Sequence, residues 1–589
     1  MIANRLWRAG LALVLLIAVA FVVLAPPERC PPVSAGELRA SAQAAVGWFV
    51  RNQEADGSWL YLYDAESDSA APEYNPVRHA GVTMGLYQAA AAGLPGALRS
   101  ADRGTEWALD RLMEHDDWAA LADDGRVATG ATALLAAGLD IRRQATGETR
   151  HDELLHRLGR FLLAQTEPSG AVLASYDPVR EKPVAGEYSK YFTGEAYWAL
   201  ARLHRAFPGE GWGEAADRIG AYVATSRDEA EDHWPPIPDH WAGYGLAETV
   251  EFPERGRPPL TRDEADYARE QSGLFGVQAR WIGQRFAPWG GLVRGGYKPR
   301  GGGYGVIGEG LAGLWRAARA DARLADQRGP LAERATCIAG LAIREQSGPD
   351  DAAGAARPER VEGAWFIDGE TRMDDQQHAL AALLRTIAIV RSGDADSSFD
   401  DEGPSGWLWA AVLFLALNPA RAAFAVPRAG RSRRNAAELA AAGAGIGALA
   451  VCASAVAGGP LLDALDVSEP SFRAGAGLIA AVTGVADLFR RPPPAEPALA
   501  GRRAALVPLA FPVVARPVLL VLALGAGADE GVLVSAPAMA LGVAVLTGLA
   551  AASPPDRPRR RALRWVARVL SAGLIACGIL LALDGILAV

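Results

Sequence analysis

Carboxylates, histidines and tryptophans recur at the starts of alternate helical stretches through the first two thirds of this chain. Glu187, Glu195, Asp239, Glu309, Asp374 and Asp375 are acidic, and Arg78, His79, His240 and His378 supply basic or hydrogen-bonding groups. Tyr188, Tyr191, Trp198, Trp234, Trp241 and Trp289 supply flat apolar faces. Carboxylates beside aromatic platforms suit sugar rings, and two carboxyls roughly 5 to 9.5 Å apart can perform glycosidic acid/base chemistry. Glu195 and Asp239, at the starts of consecutive even-numbered helices, are the leading catalytic candidates, with Asp374 and Asp375 behind them. Arg78, His79, Trp198, His240, Trp241 and Glu309 are the candidate ligand-binding residues. The same acidic residues would serve as ordinary helix caps, so the pattern favours a site without separating catalysis from binding. His79 and His240 would serve equally as core histidines. No metal is expected, because Asp239-His240 and Asp374-Asp375 with His378 are too loosely spaced for a ligand set. No cofactor is expected either. The stretch Gly290 to Gly305 holds eight glycines but no GK[ST], and so resembles a mobile loop rather than a phosphate cradle.

The elements that must position these residues are helices. From 34 to 394 the apolar pattern is helical nearly everywhere, with no β-branched alternation. Twelve helices are predicted, at 36–52, 76–92, 99–114, 128–145, 151–165, 192–206, 212–225, 239–251, 263–285, 305–320, 330–346 and 372–391. The even-numbered ones open with polar residues and continue with Gly and Ala, which suits close packing in an inner ring. The odd ones carry more charge and suit an outer ring. Helices 1, 5 and 11 end in Gln53-Glu-Ala-Asp56-Gly57-Ser-Trp59, Gln165-Thr-Glu-Pro-Ser-Gly170 and Gln346-Ser-Gly348, where glycine supplies a helix-stopping turn. The first of these resembles the QxxxGxW element of the α/α-toroid proteins, the terpene-cyclase-like and six-hairpin glycosidase-like toroids. The resemblance implies glutamine and tryptophan bracing adjacent helices in an all-α (α/α)6 toroid, and names no reaction. The cyclase acid motif DxDD is absent, since Met373-Asp374-Asp375 follows Arg372, as are the zinc-binding Cys and His of the thioether-forming cyclases.

Charge separates this part from the rest. The 589 residues carry a net charge of −9, but from Ser405 onward 17 arginines face 10 acidic residues, so the preceding part is acidic. An acidic domain lacks the electrostatic footprint of a nucleic-acid binder. Cys30, Cys337, Cys452 and Cys577 are scattered, so neither a disulfide framework nor a CxxC metal site is expected.

Behind Ser405 lie six apolar stretches whose connecting loops alternate between arginine-rich and arginine-poor. Arginine-rich loops stay cytoplasmic, so 407–425 runs inward, 436–458 outward, 472–489 inward, 504–526 outward, 531–552 inward and 565–588 outward. Arg5 and Arg8 before the apolar run Leu11 to Leu24 place Met1 in the cytoplasm and the helical domain outside. Leu24-Ala25-Pro26-Pro27 offers a poor cleavage site, which favours an uncleaved anchor over a signal peptide. The expected organisation is an anchor or signal peptide at 1–30, an extracytoplasmic toroid at 34–394, a linker at 395–405 and a six-span membrane domain at 406–589.

The membrane part resembles the MarC family of integral membrane proteins. The carrying stretches are Leu415-Ala-Leu-Asn418-Pro419, Leu461 to Ile479 with Asp463, Arg473, Gly475 and Gly477, Val507 to Pro517 with Pro508 and Pro512, and Ala576 to Leu587 with Gly585. The resemblance implies a six-span bundle of undefined transport substrate. The halves, three spans each, must be inverted, and both first spans are interrupted, at Pro419 and at Pro512 with Pro517. Matching breaks in inverted halves point to a transporter site, for which Asn418, Pro419, Arg421, Pro512, Arg516 and Pro517 are the candidates. Arg421 and Arg516 stand where the family pattern has glycine, so they would obstruct close approach of the broken helices or create an anion site. Arg421 would also reach the cytoplasmic face by snorkelling. The sequence thus reads as a bacterial-type, multi-pass protein of the cell inner membrane. Its exported toroid binds or processes a glycan or related polymer, as a hydrolase, lyase or epimerase if it is an enzyme. The toroid is coupled to a MarC-like transporter, and its partners are the lipid bilayer and an envelope glycan, not nucleic acid. The alternative is a non-enzymatic receptor, scaffold or regulator of transport.

Overall fold

The computed structural model describes residues 30–123, 125–233, 236–256, 258–286, 299–395, 406–426, 433–465, 467, 469–489, 505–552 and 557–587. The described residues 30–285 and 299–395 form one compact unit, and 406–587 lie in another.

Among the described residues of the first unit, twelve helices of ten residues or more form two rings. The inner ring is α2 (Pro76–Ala91), α4 (Thr129–Thr146), α6 (Phe192–Ala206), α8 (His240–Thr249), α10 (Gly301–Ala320) and α12 (Met373–Ser392). Each packs on the next, and α12 returns onto α2, closing the circle. Outside lie α1 (Ala35–Arg51), α3 (Ala97–Leu109), α5 (Asp152–Gln165), α7 (Trp212–Thr225), α9 (Arg262–Arg285) and α11 (Arg328–Glu345). The inner helices are buried on nearly every side, from Thr193 through Leu203 in α6, as expected for helices with neighbours all round. Small residues let these helices approach closely, as expected. A Cβ on Gly313 would lie 2.9 Å from the backbone of Gly243, and one on Gly305 would collide with the backbone of His378.

Three glutamines brace the rings in the same way. Gln53 Nε2 donates to the Gly57 and Ser100 carbonyls at 3.0 and 2.9 Å. Gln165 Nε2 donates to Thr129 Oγ1 at 2.9 Å, and Gln346 Nε2 to the Ser41 and Gly363 carbonyls at 3.1 and 2.8 Å. Gly57 and Gly170 hold φ of +94° and +95° with an outer-helix carbonyl where a Cβ would be, so only glycine fits. Beside Gln346 that position belongs to Gly363, at φ +86°, rather than to Gly348.

The all-α expectation needs correction. The chain is 71% helical, but loops between helices pair as β1 (Leu62–Asp64), β2 (Ser69–Ala70), β3 (Leu112–Glu114), β4 (Ala119–Asp123), β5 (Arg126–Ala128), β6 (Ser175–Asp177), β7 (Lys182–Pro183) and β8 (Glu370–Arg372). They make antiparallel sheets of order β2-β1-β8 and β3-β4-β5-β6-β7. Strands of two to five residues are too short to show a period of two, and β3 claims residues expected to end a helix at 114. A second correction concerns cysteine: Cys30 and Cys337 form a disulfide across 307 residues, with Cα atoms 4.7 Å apart. Such a pairing follows from ring closure and is invisible to local spacing.

Among its described residues, the second unit contains four helices long and apolar enough to cross a membrane, at Arg434–Val456, Ser471–Phe489, Val534–Ala551 and Arg561–Gly585. The expected first and fourth spans are broken. Helix α13 (Gly406–Leu417) stops at Asn418, whose φ is +45°, and a short turn Pro419–Ala422 follows. Asparagine tolerates the left-handed region, and proline cannot donate back into the helix. Then come α14 (Arg433–Val456), α15 (Gly458–Leu465) and α16 (Glu469–Phe489). The fourth stretch is a π-helical segment, Leu506–Val514, that stops at Ala515 before α17 (Pro517–Asp529). Pro512 lies within that segment, so the break falls at Pro517. The chain closes with α18 (Val532–Ala551) and α19 (Arg557–Leu587).

Candidate functional site

The inner ring brings together Trp198, His240, Trp241, Glu309 and His378. Asp239 caps α8, its Oδ1 accepting the Ala242 N–H at 3.0 Å, which makes His240 the first residue of the helix. Tyr244 follows one turn later on the same face. Opposite, Gly305 lets α10 lie against the backbone of His378, and Glu309 one turn on reaches the imidazole. His378 Nδ1 and Glu309 Oε2 are 2.6 Å apart, while Tyr244 Oη donates to Glu309 Oε1 at 2.7 Å. The His240 and His378 ring centroids lie 5.2 Å apart. Trp241 stacks on Trp198 at 5.5 Å and approaches His378 at 5.8 Å.

The two histidines are electrically unlike. Burial, with His378 and Arg385 nearby, lowers the His240 pKa well below the ordinary range, so its ring is neutral. Burial also opposes charge on His378, but the carboxylates of Glu309, Asp374 and Asp375 outweigh it and raise its pKa. A base and an acid therefore face each other. Neither ring nitrogen of His240 has a hydrogen-bond partner among the described residues, nor has Trp198 Nε1. His240, Glu309 and His378 also present ligand atoms within 4.8 Å of one another. Both Glu309 oxygens already accept hydrogen bonds, however, which favours an oriented imidazole over a metal site.

The other candidates occupy different environments. The Asp239 carboxylate is committed to its cap and to a buried ion pair with Arg227. Glu195, in the first turn of α6, is fully buried with Oε2 unpartnered, and burial and then Asp239 push its pKa up to about 8. Asp374 pairs with Arg78 at 3.2 Å and Arg372 at 2.6 Å, and Asp375 with Arg300 at 3.0 Å. His79 is a core histidine, held between Tyr74 Oη at 2.7 Å and the Gly104 carbonyl at 2.8 Å, stacked on Trp107, and lowered to about 3 by burial. Glu187 accepts from Ser175 Oγ at 2.5 Å, and Tyr188 and Tyr191 are exposed. Trp234, Trp289 and most of Gly290 to Gly305 lie outside the described residues. Tyr244 and Arg385 were missed by sequence reasoning. Their signal is helical spacing, four residues after His240 and seven after His378.

In the second unit Asn418 Nδ2 donates to the Ala567 carbonyl at 2.9 Å and to Ser571 Oγ at 3.1 Å. Asp487 lies between the two arginines, 3.4 Å from Arg421 Nε and 2.8 Å from Arg516 Nη1. Arg516 also donates to the Ala416 carbonyl at 3.1 Å, near the broken end of α13. At the other end of α16, Arg473 contacts Asp529 and Asp584, each at 2.9 Å.

No family model matches the chain, and no curated protein matches it. Among solved structures it is similar to cellobiose 2-epimerase from Spirochaeta thermophila DSM 6192, at 13% identity over 61% of this chain and 98% of that one, TM-score 0.41. It is also similar to the GH76 alpha-mannanase BT2949 of Bacteroides thetaiotaomicron, at 8% identity over 61% and 97%, TM-score 0.41. A D-mannose isomerase is similar at 13% identity over 60% and 97%, TM-score 0.41. At these scores the site has to be read from its own geometry.

Proposed function

We propose that the toroid is a sugar- or glycan-processing enzyme that works by proton transfer, of epimerase or isomerase type. The observation that carries this reading is the pairing of a neutral His240 with a Glu309-held His378 in the toroid interior. His240 takes a proton from a carbon beside a carbonyl, and His378 supplies one to the oxygen on which charge develops. Glu309 fixes the ring of His378 and stabilises its charged form, and Tyr244 fixes Glu309. Trp198 and Trp241 supply the apolar wall. Glu195 with Asp239, and Asp374 with Asp375, are not needed as a glycosidic pair, because three of these four carboxylates are bound to arginines. Incubating the purified protein with reducing sugars in deuterated water tests the reading. Carbon-bound deuterium should appear, and His240→Asn or His378→Asn should slow it by about 10²- to 10⁴-fold with an unchanged Tm. Saturable binding without exchange or turnover would assign the receptor role instead.

We further propose that the second unit is a MarC-like transporting bundle in the inner membrane, with Met1 in the cytoplasm and the toroid and C-terminus outside. The arginine-rich loops support this orientation, and the Cys30–Cys337 disulfide suits an oxidising compartment. The breaks at Asn418-Pro419 and Arg516-Pro517 fall in corresponding spans of the two halves. Cysteine at Ser397 should react with an impermeant thiol reagent in permeabilised-outer-membrane cells, and cysteine at Ser432 should not. Labelling of Ser432→Cys would reverse the orientation. Loss of flux on deleting 34–394 would make the toroid a regulator of transport.

A further inference from the structure

Around Tyr244, whose hydroxyl hydrogen-bonds Arg385, the toroid interior gathers buried polar nitrogens that have no partner among the described residues. Arg385, on α12, lies with its guanidinium carbon 3.6 Å from the centre of the Tyr244 ring and 6.0 Å from that of Trp198. Among the described residues it has no carboxylate partner, and its Nε is buried without a hydrogen bond. Trp198, fully buried, carries an unpartnered Nε1 and lies 5.0 Å from Tyr244 by ring centroids. His240, 1% exposed, adds a neutral ring whose one donor and one acceptor nitrogen are both unpartnered among the described residues, 6.4 Å from the ring of Tyr244. The neighbouring arginine on α6, whose Nε is likewise unpartnered, differs in its carboxylates: Arg202 pairs with Asp140 at 2.7 Å and Glu248 at 3.1 Å.

Arginine and tryptophan side chains donate only. Every hydroxyl of a neutral sugar brings a donor of its own along with its acceptor lone pairs, whereas a carboxylate offers acceptors alone, carries the charge opposite to the guanidinium and matches its fork with two oxygens. Leaving such donors buried without acceptors costs free energy in the empty site, and a ligand that supplies the acceptors recovers it.

We propose that the toroid's ligand is a carboxylate-bearing saccharide, a sugar acid, whose carboxylate is held by Arg385 with Trp198 Nε1. This deepens, and rests on, the reading of the same interior as a sugar site. Arg385 sets which sugar enters, and His240 and His378 act on the ring it positions.

The test is tryptophan fluorescence of the full chain in detergent, titrated with D-glucuronate and with D-glucose. Glucuronate should bind at least tenfold more tightly than glucose. Arg385→Met should remove that preference and Arg385→Lys should keep part of it, since charge persists without the planar fork. If Arg385→Met does not fold, as judged by circular dichroism, the wild-type preference and its reduction in Arg385→Lys decide the matter. Equal affinities in the wild type, or a preference unchanged by the Arg385 substitutions, would overturn the sugar-acid assignment and leave the sugar site standing. A response to neither sugar would overturn both.

Discussion

Arg473 in the membrane unit lies between two carboxylates at 2.9 Å each, while Arg385 in the toroid rests on a tyrosine ring with none. The contrast extends to their surroundings. Asp487 is shared by Arg421 and Arg516, and Asn418 fills its amide with bonds to α19. Thr483 and Ser535 of the second unit keep unpartnered hydroxyls, but in the toroid interior Glu195, Trp198 and His240 gather several buried polar atoms without partners among the described residues. Low-dielectric surroundings penalise both arrangements, but a paired charge is internally satisfied and holds helices together, whereas an unpaired donor needs a partner from outside the protein, water or ligand. The difference supports placing the proposed chemistry in the toroid interior, while the charged groups of the second unit tie its broken helices to their neighbours.

The sharpest way to break this comparison is pH. Glu195 has a folded pKa raised from 4.5 to about 8, so the folded state holds a proton that the unfolded chain has released. Its contribution is fully present below pH 4.5 and is lost as pH rises through about 8. Across that window the loss is on the order of 5 kcal/mol. Glu195→Gln should flatten the decline in denaturant stability between pH 4.5 and 8; an unchanged slope would show that the carboxyl is solvated.

Next in size, Arg473→Ala should destabilise the second unit by about 3 to 5 kcal/mol, because it breaks the buried ion pair with Asp529 and removes the contact with Asp584. Thermal unfolding in detergent would report it, and Arg473→Lys should restore part. A neutral effect would mean that water reaches the triad and that the contrast with the toroid fails. The disulfide sharpens the same comparison from outside the site. Cys30→Ser should cost about 2 to 4 kcal/mol in toroid unfolding, read by circular dichroism with and without reductant, and leave the membrane helices unaffected.

The smallest expected effect is that of Gly305→Ala, about 1 to 3 kcal/mol of strain as α10 is pushed from α12. Its value lies in selectivity: Glu309 should lose the His378 contact, so proton exchange should fall more than the stability change accounts for. Equal losses in both would remove Glu309 from the mechanism.

Much of the fold was legible because helices announce themselves within a few turns. The ranges at 192–206 and 212–225 coincide with α6 and α7, and the opening polar residues of the even helices did mark an inner ring. Pro419 and Pro517 marked the broken spans through the same local rule, a missing N–H. The site was legible in part: Trp198, His240, Trp241 and Glu309 were named together, but beside Asp239 and His79, which are equally polar and equally placed at helix starts. Nothing local distinguishes them. Asp239 is consumed by Arg227, and His79 by Tyr74 and Gly104, through contacts that exist only after packing.

By itself, then, the sequence determined the helical periodicity, the ring alternation of small and charged helices, the arginine-rich loops and the proline breaks, because each depends on neighbours within one or two turns. Only the tertiary structure decided which polar groups are spent and which are left available. Glu309 and His378 meet across 69 residues, and Cys30 and Cys337 across 307. Closing the ring makes these pairs, and whether a buried carboxylate or imidazole finds a partner there sets its pKa and its chemistry.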